Sequence, residues 1–169
     1  AKQGDLFVAI VGDRFEGHNY TGQALGQGAV AALVNRARLV QADERPVIQV
    51  DETRQALGQL AARYRQDFDL PVIAIGGSNG KTTTKEILAE LLGKRFNTLF
   101  SEASFNNDIG VPLTLLRLQD SHRAAVVEVG SNHPGEMESL LTIVRPTIGV
   151  LTSIGREHLE FFGDLFGVI

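Results

Sequence analysis

The chain has 169 residues, of which 43% are hydrophobic and 21% are charged, and its formal net charge is −4. This length and composition allow a buried core in one large or two small domains, which excludes a disordered chain. The negative charge, without a basic stripe carrying aromatic residues, argues against a nucleic-acid-binding protein. The sequence has no cysteine, no apolar run of membrane-spanning length and no signal peptide pattern, so we expect a cytoplasmic protein without disulfides.

The alternating strand and helix patterns of residues 1–70 predict a small α/β domain. A β-rich run over residues 5–11 comes first, and Thr21 is placed to cap the short helix that follows. The apolar segments AVAALVN and VIQV predict two further strands. A longer helix comes next, capped by Asp51 or Thr53. Its predicted inward face consists of Leu57, Leu60, Ala61 and Tyr64.

The stretch IAIGGSNGKTTTKE, residues 73–86, predicts a phosphate-binding loop between a buried strand and a helix. Its glycines let backbone N–H groups point at an anion, the helix adds the positive end of its dipole, and Lys81 adds a mobile charge. Thr82 supplies a hydroxyl for Mg²⁺. The standard pattern G-x-x-x-x-G-K-[ST] requires glycine where this chain has Ile75, so only its second half matches. The simplest alternative is an ordinary glycine-rich turn.

The rest of residues 71–169 continues the alternation of strands and helices. Further strands are predicted at residues 98–100 and in the segments AAVVEVG and IGVLTSI, and a helix is predicted over Glu136–Val144. This alternation predicts a second α/β domain with a mostly parallel sheet and covered faces. Both ends of the chain read as cut, so we expect a fragment of a longer protein. After the phosphate loop, Ile87, Leu88, Leu91 and Leu92 recur at helical spacing until Gly93, which predicts a helix that ends there.

Glu128 ends the apolar strand AAVV at its carboxyl end, where ligands of open α/β sheets bind. A carboxylate beside a phosphate loop is an oxygen ligand for Mg²⁺, and the alternative is a charge that reaches solvent. His158, in a loop that follows the strand IGVLTSI, is placed to ligate a metal or to contact phosphate. The alternative for His158 is a histidine on a helix surface.

Asn106 and Asn107 precede a helical stretch in FNNDIGVP, where amide side chains cap a helix or donate to a ligand. The polar loop SNHPGE follows the Glu128 strand, and turn formation alone explains its proline and glycine. The sequence has no Ser/His/Asp nucleophile pattern and no nucleophilic cysteine. The chemistry indicated is therefore phosphate chemistry.

These segments together resemble the Mur ligase family. GGSNGKTTTKE, FNNDIGVPLTLLRL, VVEVGSNHPGEM and RPTIGVLTSIGREHLEFFG occur in the order and approximate spacing of that family, and FNNDIGVP is the most specific of them. The opening segment GDLFVAIVGDRFEGHNY resembles the family's amino-terminal UDP-binding domain. The resemblance implies a UDP-sugar-binding type of domain over residues 1–70 and a central ATP-binding domain over residues 71–169.

The resemblance implies an ATP-dependent amide ligase of peptidoglycan synthesis that works through an acyl phosphate. It is strongest to the members that add D-alanyl-D-alanine to UDP-N-acetylmuramoyl-tripeptide, and it implies a cytoplasmic monomer. Lys81 would contact the β and γ oxygens of ATP, Thr82 and Glu128 would hold one Mg²⁺, and His158 would hold a second. The phosphates would contact Gly77, Ser78, Asn79, Gly80 and Thr83. The path of the muramoyl peptide would be lined by Asn106, Asn107, Asn132 and His133.

The chain departs from the family pattern at Gly76, where a threonine is usual. The family's carbamoylated lysine and carboxy-terminal domain are expected beyond Ile169, so we expect the fragment alone to be inactive. Three alternatives to the proposed ligase stay open: a Mur-type or folylpolyglutamate-like ligase with another acceptor, a P-loop switch module, and a UDP-sugar binder without catalysis.

Overall fold

The computed structural model describes residues 1–12, 15–38, 45–131 and 133–155. The chain divides into two compact units, Ala1–Leu57 and Gly58–Ile169. The limits predicted for the two domains, residues 1–70 and 71–169, stay a prediction. Within the described ranges, no helix combines the length and the apolar character needed to cross a membrane.

The first unit is built on a parallel sheet of three strands in the order β1-β4-β5. A short antiparallel pair, β2 and β3, leads through a 3₁₀ helix into the first α-helix. The core consists of small and branched apolar side chains, among them Leu25, Ala32 and Val34. The elements are β1 (Leu6–Val8), β2 (Val11–Gly12), β3 (Phe15–Glu16), the 3₁₀ helix (Gly17–Tyr20), α1 (Thr21–Gly26), β4 (Ala31–Asn35), β5 (Val47–Val50) and α2 (Thr53–Arg65), which begins in this unit.

The predicted helix caps in this unit are wrong. The 3₁₀ helix runs directly into α1, so Tyr20 holds the cap position and Thr21 is a buried residue inside the helix. Helix α2 begins at Thr53, and the carboxylate of Glu52 accepts the backbone N–H of Arg54 at 3.2 Å. Glu52 therefore takes the capping position expected for Asp51 or Thr53, because its side chain reaches the second N–H of the helix.

The predicted inward face of α2 is correct except at one position. Leu57 and Ala61 are buried and Tyr64 is partly buried, whereas Leu60 is 40% exposed. Gly58 is buried in its place, and a Cβ atom on Gly58 would lie only 2.9 Å from Cδ1 of Ile143. The buried face of α2 therefore contains Gly58 where the apolar pattern predicted Leu60.

The second unit has a parallel sheet of four strands in the order β7-β8-β6-β9, which confirms the predicted fold class. The two central strands, β6 and β8, are buried along their whole length. The elements that follow α2 are β6 (Val72–Gly76), α3 (Lys81–Gly93), β7 (Thr98–Phe100), α4 (Gly110–Leu115), β8 (Ala124–Glu128), α5 (Glu136–Val144) and β9 (Ile148–Leu151).

Helices cover both faces of this sheet. Along β6, Val72 and Ala74 belong to a core cluster with α4 and α5, whereas Ile73 and Ile75 belong to a second cluster that α3 covers. Successive side chains of a strand point to opposite faces, and a strand buried on both faces is continuously apolar. The run PVIAI therefore forms the centre of the sheet.

The predicted helix after the phosphate loop is confirmed as α3, which ends at Gly93, but only some of its periodic apolar residues are buried. Ile87 and Leu91 are 55% and 58% exposed. The buried side of the helix consists instead of Leu88, Leu92, Ala89 and a lysine, Lys85. Apolar residues lie on two adjacent faces of α3, so their periodicity alone does not indicate which face is buried.

All four strands of this sheet are parallel, so their carboxyl ends lie at one edge. Strands β6, β7, β8 and β9 end at Gly76, Phe100, Glu128 and Leu151. The loops that follow them carry the polar side chains of the candidate site, as expected at this edge of an open α/β sheet.

Candidate functional site

The turn after β6 depends on two glycines with positive φ. Gly77 has φ +123°, and a Cβ atom there would lie 2.8 Å from the carbonyl oxygen and 2.9 Å from the nitrogen of Ser153. Gly80 has φ +83° and immediately precedes α3. Only glycine adopts these conformations freely, and at Gly77 no side chain fits. Ile75, which departs from the standard pattern, is buried inside β6 and pairs with Glu128, so the strand continues where the pattern expects its first glycine.

The loop after β9 supports the phosphate loop from one side. The carbonyl oxygen of Ser153 accepts the N–H of Ser78 at 2.9 Å, and the Ser153 hydroxyl accepts the N–H of Asn79 at 2.9 Å. Oγ1 of Thr152 lies 2.7 Å from the carbonyl oxygen of Asn79, and the Ser78 hydroxyl accepts the N–H of Gly155 at 2.7 Å. These bonds fix the conformation of the loop. They could not be predicted from the sequence, because the spacing of residues 152–155 does not indicate which of their groups bond the phosphate loop, more than 70 positions away.

Helix α3 begins at the phosphate loop. Among the described residues, its first backbone hydrogen bond joins the N–H of Thr84 to the carbonyl of Gly80, and no side chain caps the preceding N–H groups, which include that of Thr83. Nζ of Lys81 lies 2.5 Å from the carbonyl oxygen of Gly77 and 3.0 Å from that of Ser78. The helix dipole and the ammonium group together make this end of α3 attractive to an anion.

Glu128 is the central acidic residue of the site. It is 1% exposed, so the alternative of a carboxylate in solvent is wrong. Its Oε2 accepts a hydrogen bond from the Thr82 hydroxyl at 3.0 Å, and its Oε1 accepts one from Nδ2 of Asn106 at 2.9 Å. The Glu128 N–H donates to the Ser101 hydroxyl at 3.0 Å. The buried charge is therefore held by hydrogen bonds on each oxygen, as a buried carboxylate requires.

The residues present fit a magnesium ion. The Thr82 hydroxyl and the Glu128 carboxylate are oxygen ligands that already lie within hydrogen-bond distance of each other beside the phosphate loop. In the described part of the chain, no group of three or more His, Cys, Asp or Glu side chains is placed to hold a metal. Mg²⁺ is commonly bound by one or two carboxylates with phosphate oxygens and water, so such a group is not needed.

The two neighbouring asparagines have different roles. Asn106 donates from Nδ2 to the Glu128 carboxylate. The Asn107 side chain accepts the N–H groups of Gly110 at 2.8 Å and Ile109 at 3.2 Å, which caps the start of α4. Helix capping thus explains Asn107 but not Asn106. Whether either residue contacts a substrate stays a prediction.

The predicted histidine sites are only partly described. His133 is exposed, and its Nδ1 lies 3.0 Å from a carboxylate oxygen of Glu136 in the first turn of α5. His158 and Asn132 lie outside the described residues, so their predicted roles stay predictions. His18, in the first unit, is buried: its Nε2 accepts the N–H of Asn35 at 2.9 Å and its Nδ1 lies 2.5 Å from Glu16. This is a structural histidine.

Comparison with known proteins agrees with this geometry. Residues 75–169 match the model of the Mur ligase middle domain. The chain belongs to the Mur ligase family. Residues 1–65 match a second model, described as Mur ligase family, catalytic domain. The two matches cover most of this Mur ligase chain.

Several relatives of this Mur ligase are UDP-N-acetylmuramoyl-tripeptide–D-alanyl-D-alanine ligases. The enzyme of Escherichia coli strain K12 is 44% identical over 165 residues, an alignment that covers 98% of this chain and 36% of the relative. The enzyme of Bacillus subtilis strain 168 is 38% identical over 167 residues, covering 99% of this chain and 36% of the relative. This Mur ligase chain therefore spans about a third of the length of these relatives.

Solved structures of Mur ligases have the same fold. A crystal structure of MurF from Acinetobacter baumannii superposes with a TM-score of 0.91 at 43% identity, covering 99% of this chain and 37% of that one. MurF of Thermotoga maritima in complex with ADP superposes with a TM-score of 0.90 at 34% identity, covering 99% of this chain and 39% of that one.

Proposed function

We propose that this chain is the nucleotide-binding part of an ATP-dependent ligase that joins D-alanyl-D-alanine to UDP-N-acetylmuramoyl-tripeptide. The observation that carries the proposal is the hydrogen bond of 3.0 Å from the Thr82 hydroxyl to Oε2 of Glu128, beside the phosphate loop. The names of the relatives support the two substrates, UDP-N-acetylmuramoyl-tripeptide and D-alanyl-D-alanine, and the ADP bound to the Thermotoga maritima structure supports ATP as the energy source. We propose further that the complete enzyme works as a monomer in the cytoplasm, and the absence of cysteine from this chain fits a reducing compartment.

The proposed reaction has two steps. An oxygen of the tripeptide carboxylate attacks the γ-phosphorus of ATP, the bond from that phosphorus to the bridging oxygen breaks, and ADP leaves. The amine of D-alanyl-D-alanine then attacks the acyl carbon, loses a proton and displaces inorganic phosphate. Both steps build negative charge on oxygen, so positioned cations and N–H donors accelerate them.

The phosphate loop supplies several of these donors in the proposed complex. Gly77 and Gly80 allow the chain to turn around the phosphates, while the first turn of α3, with Thr83, directs N–H groups toward them. Lys81 now bonds two carbonyl oxygens of the loop, Gly77 and Ser78, and it would exchange them for the β and γ oxygens of ATP. A lysine on a flexible stem contributes a full charge that moves with the transferred group.

Thr82 and Glu128 would hold Mg²⁺, which neutralises charge on the phosphate oxygens when bound. Asn106 holds Oε1 of Glu128, so Oε2 remains directed at Thr82. We propose that His158 contributes to a second magnesium site, as the family resemblance implies. Asn132, His133 and the two asparagines of FNNDIGVP are proposed to lie along the path of the muramoyl peptide.

The test is phosphate release by the full-length protein that contains this chain. We expect release to require ATP, UDP-N-acetylmuramoyl-tripeptide and D-alanyl-D-alanine together. Lys81→Ala is expected to abolish it, whereas Lys94→Ala, which changes an exposed lysine just after α3, should leave it unchanged. Phosphate release without D-alanyl-D-alanine would contradict the proposal that this dipeptide is the amine substrate. Preference for another amine would indicate a different ligase of the family. Full hydrolysis with ATP alone would indicate a switch module instead.

A further inference from the structure

A lysine with no exposed surface lies behind the candidate site. Lys85, in α3, is 0% exposed and is one of the largest fully buried side chains in the described residues. Burial of an ammonium group is costly unless its charge and its protons are satisfied. Nζ of Lys85 lies 2.8 Å from the carbonyl oxygen of Ser101, 2.6 Å from that of Ala103 and 2.7 Å from Oε1 of Glu86. Each of its three protons therefore has an acceptor.

Two of these acceptors belong to the segment of residues 101–106, which follows β7. Ala103 has φ +46°, in the left-handed region that residues with a side chain rarely adopt. Such a conformation persists only where the surroundings impose it. The Lys85 ammonium group provides that constraint, because it donates to the carbonyl oxygens of both Ser101 and Ala103.

The same segment fixes Glu128 in two places. The Ser101 hydroxyl accepts the N–H of Glu128 at 3.0 Å, and Nδ2 of Asn106 donates to Glu128 Oε1 at 2.9 Å. The carbonyl of Asn106 also accepts the N–H of Gly130 at 2.8 Å. Lys85 and Glu128 thus have no direct bond with each other, but both hold the segment of residues 101–106.

We propose that Lys85 is a positioning residue of the nucleotide and magnesium site. Its ammonium group keeps the segment in the conformation that directs the Glu128 carboxylate toward Thr82. The ion pair with Glu86 does not explain the burial by itself, because the Glu86 side chain is 53% exposed and a lysine could meet it in solvent. Ser101 is fully buried, so its carbonyl requires a donor inside the protein, and an apolar residue of similar length at position 85 would not provide one.

The proposal rests on the proposed function and is tested with the full-length protein. In Lys85→Met the two carbonyls lose their donor. We expect the Mg²⁺ concentration for half-maximal activity to rise severalfold, up to about tenfold, which is the lower end of the range for removing a direct partner of a metal ligand. Magnesium-dependent binding of a fluorescent ATP analogue should weaken by a similar factor. If the unmodified protein binds the ATP analogue but does not catalyse ligation, the proposed function is overturned. The role of Lys85 is still tested in that case, because magnesium-dependent binding of the analogue can be compared between Lys85→Met and the unmodified protein.

Two control variants separate positioning from stability. Leu140→Ala truncates a buried side chain of α5 that has no bond with the segment, and it should lower the melting temperature without moving the Mg²⁺ dependence. Lys94→Met removes an exposed lysine just after α3 and should change neither the melting temperature nor the Mg²⁺ dependence. A variant that merely unfolds in part loses maximal rate but keeps its half-saturating concentrations, since the remaining folded molecules are normal.

Lys85→Gln is the second test variant, because its amide keeps an N–H donor and it serves if Lys85→Met does not fold. This amide is neutral and lies on a shorter stem than the ammonium group, so we expect a smaller rise in the Mg²⁺ requirement than for Lys85→Met. The proposal is overturned if a folded Lys85 variant keeps the normal Mg²⁺ dependence. It is equally overturned if neither variant folds while Leu140→Ala does, since Lys85 would then be a purely structural residue.

Discussion

Thr82 and Glu128 are 46 positions apart in the chain, yet the Thr82 hydroxyl donates to a Glu128 carboxylate oxygen at 3.0 Å. The contact exists because β6 and β8 are adjacent parallel strands whose carboxyl ends lie at the same edge. The strand before the phosphate loop delivers Thr82 on the first turn of α3, and the neighbouring strand delivers Glu128. The two oxygen ligands that we propose for magnesium thus meet beside the phosphate loop without a separate metal-binding loop.

Glu128→Gln tests the charge of this pair. The amide keeps the size of the side chain and removes the negative charge, so we expect the rate of ligation to fall by about two to three orders of magnitude, the range for loss of one charge-stabilising group. The thermal stability should stay the same or rise, because a buried carboxylate is costly to desolvate. A normal rate and normal Mg²⁺ dependence in the Glu128→Gln variant would contradict the assignment.

The two adjacent glycines at the end of β6 give a matched pair of variants. At Gly76 a Cβ would meet Met137 and Val129 at 3.5 and 3.6 Å, which are ordinary contacts, so Gly76→Ala should be neutral or stabilise the fold by about 0.4–1 kcal/mol. Gly77→Ala combines a positive φ with a collision against Ser153, so it should destabilise the protein and weaken ATP binding. Thermal unfolding and nucleotide binding of both variants check this, and equal behaviour of the two would refute it.

Ser153→Ala tests whether the loop after β9 holds the phosphate loop in place. The substitution removes the acceptor of the Asn79 N–H, a neutral hydrogen bond that contributes about 0.5–1.5 kcal/mol. We expect the KM for ATP to rise by about two- to tenfold with a smaller change in kcat, since RT ln 10 is about 1.4 kcal/mol. Ser139→Ala, which removes an exposed hydroxyl in α5, is the control. A KM shift of equal size in both variants would argue against the role of Ser153.

The strands and the acid at the end of β8 were predictable from sequence for a physical reason. PVIAI and AAVVE are continuously apolar because their strands are buried on both faces, and a charge directly after such a run marks the functional edge. Lys85 was not predictable, because a lysine in a helix is normally on the surface and the two carbonyls that it bonds belong to the loop after β7. Leu60 was misplaced because α2 packs against Ile143 through Gly58, and an apolar pattern gives a glycine no weight.

A pH effect is expected in the first unit. The hydrogen bond from the His18 side chain, then that from the His18 backbone, lowers the pKa of Glu16 below its ordinary value of 4.5. A carboxyl group whose pKa is lowered by folding stabilises the fold fully above its unfolded pKa, and this contribution is lost as the pH falls through the lowered folded pKa. Glu16→Gln should therefore flatten the pH dependence of protection of the Asn35 amide below pH 4.5, measured by hydrogen exchange. An unchanged pH dependence would show that Glu16 does not couple to folding.

The most direct test of the proposed reaction follows the oxygen atoms. The full-length protein is supplied with ATP, D-alanyl-D-alanine and UDP-N-acetylmuramoyl-tripeptide whose terminal carboxylate carries ¹⁸O, and the released phosphate is analysed by mass spectrometry. Transfer through an acyl phosphate predicts one ¹⁸O atom in each phosphate, because the carboxylate oxygen that attacks the γ-phosphorus leaves with it. Phosphate without the label would show that water attacks ATP directly and would contradict the assignment of this chain to a carboxylate-activating ligase.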